Sequence, residues 1–178
     1  MARFLLLLFL LPFSGSSQVN RIPLRDLDGT RTTLSAFPQK LVAVVFLSPE
    51  CPLCQNYTRT LNQLKGAAVV GIVPGRSYNR EELAHFRDKY QVLFPLLTDA
   101  PNALGKYVKA TTTPEVWLLD AGRRVIYHGA IDNWAISLGK TRSQVTAHYL
   151  AEAIHAYEAG KAVSIPETTP VGCFINDL

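Results

Sequence analysis

Leu41-Val42-Ala43-Val44-Val45-Phe46-Leu47-Ser48-Pro49-Glu50-Cys51-Pro52-Leu53-Cys54 is the stretch that decides the fold. Its first half, Leu41 to Leu47, is an unbroken apolar run of β-preferring residues. A run of that length without alternation suits a strand buried on both faces, in the middle of a sheet covered by helices. Its second half opens a helix. From Pro52 to Lys65, Leu53, Tyr57, Leu61 and Leu64 fall on one stripe at helical spacing. Pro52 suits the first helical turn, having no N–H to leave unpaired and a preset φ.

Outward from this core the signals alternate between strand and helix. Upstream, Asp28-Gly29 between Ile22–Leu27 and Thr30–Leu34 predicts a β-hairpin. Downstream, Ala67 to Val73 reads as a second buried strand closed by Pro74-Gly75. Asn79 followed by Glu82 has the form of a capping box, with Leu83, Phe86 and Tyr90 continuing a helical face. A short strand is expected at Val92–Leu97 and a short helix from Pro101. Thr113-Pro114 precedes an apolar strand, Glu115 to Asp120, which turns at Ala121-Gly122 into a second, Arg123 to Ile131. A terminal helix is expected from Thr141 to Ala159, stopped by Gly160. The tail, 161–178, shows no periodicity. The expected class is α/β: a central mixed sheet flanked by helices, with an N-terminal β-hairpin.

The cysteine pair carries the chemistry. Cys51 lies at the start of a helix, where backbone N–H groups lack partners and the dipole's positive end points outward. Helix starts and C-x-x-C motifs lower a thiol pKa from about 8.5 to about 3.5–7.5. Cys54 falls on the same helix face, so the two sulfurs can meet. Cys51 is the expected attacker of a disulfide, and Cys54 the thiol that resolves the mixed disulfide and releases product. Glu50, Pro52 and Leu53 are expected to tune the potential, Glu50 by raising the Cys51 pKa as a like charge. Metal binding fits less well. Zinc would need two more ligands at metal spacing, and His85, His128, His148 and His155 are scattered. A purely structural bridge would close too small a loop to restrict the unfolded chain much.

The pattern resembles the thioredoxin-like superfamily, and within it exported redoxin-domain proteins of the thiol-specific antioxidant and thiol–disulfide oxidoreductase kind. The resemblance rests on C-P-L-C after a buried strand, on Thr113-Pro114 opening a later strand, and on the hairpin-plus-helix ending. The phrases S-P-E-C-P-L-C, T-P-E-V-W-L-L-D and H-G-A-I-D-N carry it further, as does the ending A-G-K-A-V-S-I-P-E-T-T-P-V-G-C-F-I. It implies that Pro114 is cis, faces the cysteine pair and shapes a groove for an extended substrate, with Thr113 beside it. It also implies that Cys173 belongs to the design as a possible third redox thiol. Two departures stand out: the strand before the motif lacks the buried acid of many thioredoxins, and Val44 stands where peroxiredoxins carry a proline, although Ser48 matches their Ser/Thr.

Of 178 residues, 18 are Lys or Arg and 14 Asp or Glu, for a net charge of +4 with no basic cluster. A nucleic-acid role has little support. Residues 1–17 have the layout of a signal peptide: a basic start, an apolar run from Phe4 to Phe13, and Ser14-Gly15-Ser16-Ser17. That run is shorter than the ~20 residues of a membrane span. The expected organisation is a leader (1–17), a thioredoxin-like domain (18–160) and a tail carrying Cys173 (161–178), exported to the periplasm or secreted, with no membrane span after leader removal. An odd cysteine count in an exported chain points to reactivity more than to scaffolding. The expected activity is thiol–disulfide exchange on protein or small-molecule disulfides, coupled to an electron donor or acceptor, with no cofactor and no metal. The alternatives are a thiol peroxidase, in which Cys51 attacks a peroxide and Cys54 or Cys173 resolves, and a non-enzymatic metal-handling or docking module.

Overall fold

The computed structural model describes residues 18–175; the expected leader lies outside the described residues. In chain order the elements are β1 (Leu24–Asp26), β2 (Arg31–Thr32), β3 (Val42–Phe46), α1 (Pro52–Asn62), β4 (Ala68–Pro74), α2 (Arg80–Lys89), β5 (Leu96–Asp99), α3 (Ala103–Val108), β6 (Thr112–Thr113), β7 (Glu115–Leu119), β8 (Val125–Gly129), β9 (Ala135–Ser137), β10 (Lys140–Thr141), α4 (Tyr149–Glu158) and β11 (Cys173–Phe174). Seven strands form one mixed sheet in the order β2-β1-β5-β4-β3-β7-β8. β3, β4 and β5 run parallel, and β1, β7 and β8 pair antiparallel to their neighbours. Among the described residues no helix is long and apolar enough to cross a membrane.

The apolar run read from the sequence is the middle of this sheet, and its two faces are both covered. Leu41, Ala43, Val45 and Leu47 pack against Leu53, Tyr57 and Leu61 of α1, Leu83 and Phe86 of α2, and Leu150 and Ile154 of α4. Val42, Val44 and Phe46 face the other way, toward Val19, Leu34 and Leu104. The period of two along a strand is what divides these neighbours between the two layers. The hairpin turns at Gly29, whose φ of +84° lies in the left-handed region. Asn79 and Glu82 close a reciprocal capping box at the start of α2.

Three expectations are corrected. The strand expected at Val92–Leu97 begins only at Leu96, because Gln91 takes a left-handed turn and Pro95 has no N–H for a ladder. The terminal helix begins at Tyr149, not Thr141. Thr141 belongs to β10, and Asn133 binds the chain just beyond it, its Oδ1 accepting from Thr146 N and Ala147 N. The tail is also structured. It pairs with the edge strand β8 through His128 N to Pro166 O (3.0 Å) and Thr168 N to His128 O (3.1 Å), then forms β11 against β6.

Candidate active site

β3 ends at Phe46, and the chain crosses from the sheet to α1 in five residues. Cys51 is the residue that precedes α1, with extended backbone, and Pro52 takes the first helical position. The Cys51 N–H donates to Ser48 O, and its carbonyl accepts from Gln55 N at 3.1 Å, starting the helical ladder. Cys54 lies one turn in and is fully buried; its Sγ accepts from Ser48 N at 3.4 Å. Ser48, matched from sequence to a peroxiredoxin position, is thus a backbone anchor for the inner sulfur.

The second wall of the site comes from sixty residues downstream. The Thr113–Pro114 peptide is cis, as the resemblance implied. Thr113 O lies 3.2 Å from Cys51 Sγ and accepts from it when Cys51 is a thiol. Glu115, buried at the start of β7, accepts from Thr111 N (3.0 Å) and Thr112 N (3.1 Å) and so fixes β6 in place. Beside Pro114 lies a cavity of about 230 Å³ lined by Tyr57, Ile131, Asp132, Arg142 and Thr168 among others. Tyr57 Oη donates to Asp132 Oδ1 at 2.5 Å, and the Trp134 ring meets Tyr57 edge-on at 5.4 Å. Tyr57 is a core residue, as expected. Trp117, half buried, packs against the second core layer and stacks on His128 at 4.4 Å.

The tail supplies the third wall. Cys173 lies opposite Thr113 in the antiparallel β6–β11 pair, and Thr113 Oγ1 donates to Cys173 O at 3.3 Å. Its Sγ approaches Cys51 Sγ to 2.8 Å. All three cysteines carry free thiols. Among the described residues no group of three or more His, Cys, Asp or Glu side chains is arranged to hold a metal ion.

The three sulfurs are electrostatically unequal. The Cys51 thiol is held down to about 5, first by a hydrogen bond from Cys54, with help from the Cys173 thiol and from backbone N–H groups of both, against the opposing effect of burial. Cys54 is pushed well up by burial and by the Cys51 charge it serves. Cys173 is pushed up to about 11 by burial and by Cys51. One ionised sulfur with two protonated neighbours is the arrangement thiol exchange needs. The exposed Glu50 carboxylate accepts from Tyr78 Oη at 3.4 Å. The Cys51 acidity comes chiefly from neighbouring thiols and amides.

Sequence reasoning missed Glu115, Asp132 and Gly172 as parts of the site. Glu115 had a signal, a carboxylate opening an otherwise apolar strand. Gly172 had only its place before Cys173; a Cβ there would collide with the Thr113 carbonyl. Asp132 had none, because its partner Tyr57 is 75 positions away.

The Redoxin family model matches residues 14–136. A hypothetical protein from Sinorhizobium meliloti 1021 has a similar solved structure, with a TM-score of 0.74 and 29% identity over 86% of this chain and 88% of that one. An uncharacterised conserved protein from Geobacillus kaustophilus is similar at a TM-score of 0.73 and 21% identity, over 86% and 87% of the two chains. A secreted Mycobacterium tuberculosis disulfide oxidoreductase shares the fold at a TM-score of 0.57 and 18% identity, over 79% of this chain and 98% of that one. No curated protein matches. The architecture is therefore the thioredoxin-like α/β fold expected from the sequence.

Proposed function

This chain belongs to the Redoxin family and is a thioredoxin-like redox protein, and on that premise we propose that it exchanges disulfides through Cys51 and Cys54. The observation that carries the reading is the placement of Cys51 at the start of α1, with its Sγ 3.2 Å from Thr113 O and 2.8 Å from Cys173 Sγ and Cys54 one helical turn on, a setting that holds the Cys51 thiol down to about 5. The Cys51 thiolate attacks one sulfur of a client disulfide, forming a mixed disulfide and releasing the other client thiolate. The second client sulfur is then displaced, and Cys54, deprotonated as it reacts, ends as the partner of Cys51 in a Cys51–Cys54 disulfide. The client gains two electrons and two protons, and a dithiol donor restores the pair. Run backwards, the same steps oxidise a dithiol client.

Pro114 and Thr113 border the pair and, with the cavity beside them, form the groove in which an extended client segment lies. Glu50 and Pro52, both exposed at the rim, adjust approach to Cys51. Clients are protein or small-molecule disulfides. The layout of residues 1–17 supports export, to a periplasm or to the medium, where disulfides persist. The thiol peroxidase reading is less favoured: the proline that peroxiredoxins carry is replaced by Val44, which lies in the middle of β3.

The test is reduction of insulin or a glutathione disulfide by the reduced protein. Wild type turns over with dithiothreitol as donor, and Cys51→Ser abolishes turnover. Exchange activity that survives Cys51→Ser sinks the assignment.

A further inference from the structure

We propose that Cys173, carried on β11, is the thiol that first clears the client from Cys51, and that the tail strand is a built-in occupant of the client groove. This deepens the function proposed above and rests on it. Three independent features of the chain place the tail there. Cys173 Sγ is 2.8 Å from Cys51 Sγ, and Cys51 is only 1% exposed. The strand bearing Cys173 pairs with Thr112 and Thr113, the residues leading into cis-Pro114. The tail is also anchored on both sides of that contact. Upstream, Thr168 Oγ1 meets Tyr127 Oη at 2.6 Å and accepts from Ala130 N at 2.9 Å. Downstream, Ile175 is buried in the second core layer and donates its N–H to Thr111 O at 2.9 Å. Gly172 lets the strand approach Thr113 closely, since any side chain there would strike the Thr113 carbonyl.

Such a segment does what an extended client does: it offers an extended backbone to β6 and a sulfur to Cys51. A client reaches Cys51 only when β11 lifts away, a local opening of its two-residue ladder and the adjoining Ile175 contact rather than of the sheet. The client disulfide R–S–S–R′ then leaves R on Cys51 and departs as R′–S⁻. As β11 returns, the Cys173 thiol gives its proton to water and its sulfur attacks Cys51 Sγ; the bond from Cys51 to the client sulfur breaks, the Cys51–Cys173 bond forms, and R–S⁻ takes up a proton from water. Cys54 next attacks Cys51 Sγ, forming Cys51–Cys54 and freeing Cys173. The two electrons delivered to the client come first from Cys51 and Cys173, and once Cys173 is freed the net donors are Cys51 and Cys54; a dithiol such as dithiothreitol returns them. Cys54 is fully buried, whereas Cys173 is partly exposed and already lies against Cys51 Sγ.

The experiment uses the full chain and oxidised glutathione as the probe disulfide. Reduced Cys54→Ser and the double variant Cys54→Ser/Cys173→Ser are mixed with the probe, quenched in acid and weighed intact. The expected result is that Cys54→Ser becomes a monomer two hydrogens lighter, with Cys51 linked to Cys173 and no glutathione retained, while the double variant keeps one glutathione on Cys51. Retention of glutathione by Cys54→Ser to the same extent as by the double variant, or linkage only between chains, overturns the inference and leaves the proposed function standing. Failure of both variants to take up glutathione overturns the proposed function and the inference with it. Wild type gives a second reading free of any folding defect: acid-quenched time points should show Cys51–Cys173 before Cys51–Cys54. A time course with Cys173 free throughout overturns the inference.

Discussion

At the scale of single residues, the three neighbouring sulfurs differ in their protonation. Cys51 is ionised because Cys54 donates to it, with smaller help from Cys173 and nearby amides. The thiolate absorbance of the reduced protein is therefore expected to titrate with its midpoint near pH 5, the value to which Cys51 is held. An ordinary thiol titrates near 8.5. Cys54→Ala removes the leading donor and should move that midpoint upward more than Cys173→Ala does. An unchanged midpoint in both variants would show that the helix start and not the sulfur neighbours governs Cys51, and a wild-type midpoint in the ordinary range would show that neither lowers it. Glu50→Gln should leave the midpoint in place, because Cys54, burial and Cys173 set the Cys51 acidity.

Among the elements, β6 is the hinge of the site, since it faces Cys51 on one edge and β11 on the other. Two residues make a weak strand by themselves, and Glu115 compensates by accepting both Thr111 N–H and Thr112 N–H. Glu115→Ala leaves those donors unpartnered and is expected to cost about 1–3 kcal/mol in urea unfolding. Glu115→Gln keeps an acceptor and should cost less; equal losses would refute the hydrogen-bond account. The elements also mark where sequence reading succeeds. Wherever the controlling contacts are local, the expectation matches: the Asp28-Gly29 turn, the Asn79–Glu82 box, the apolar run of β3, the Pro52 helix start. Wherever the partner is distant, it does not. Tail residues 166–175 look irregular because their strand partners, His128 and Thr112–Thr113, are not in the tail. Residues 141–148 could have continued α4, but Asn133 holds two of their N–H groups instead. The helix from Ala103 starts without a cap of its own because Asp99, at the end of β5, accepts from Ala103, Leu104 and Gly105. The cysteine pair was legible for the same reason as the hairpin: its spacing is short.

For the molecule as a whole, the redox site and the fold's stability are one linked system. The tail closes the β8 edge, which would otherwise offer unpaired backbone groups, and carries Cys173 back to the first helix. The energetics of folding must then depend on the charge of these sulfurs. Cys51 is held down to about 5 in the folded chain and returns to about 8.5 when unfolded. A group with a depressed folded pKa contributes stability that is fully present above its unfolded value and lost as pH falls through its folded value. Cys54 is raised, and Cys173 is pushed up to about 11, so above the ordinary thiol range their contributions run the other way and are lost as pH rises. The reduced protein is accordingly expected to gain thermal stability from about pH 5 to about pH 8.5 and to give some back beyond it. Comparison with Cys51→Ala isolates the effect, because the remaining carboxylates and histidines titrate alike in both. The difference in melting temperature between reduced wild type and Cys51→Ala should widen across that window. In oxidised wild type, where no Cys51 thiol remains to titrate, the same difference should be flat. Parallel melting curves for reduced wild type and variant would mean that the Cys51 charge is not stabilised by the fold, and an ionised nucleophile would lose its structural basis.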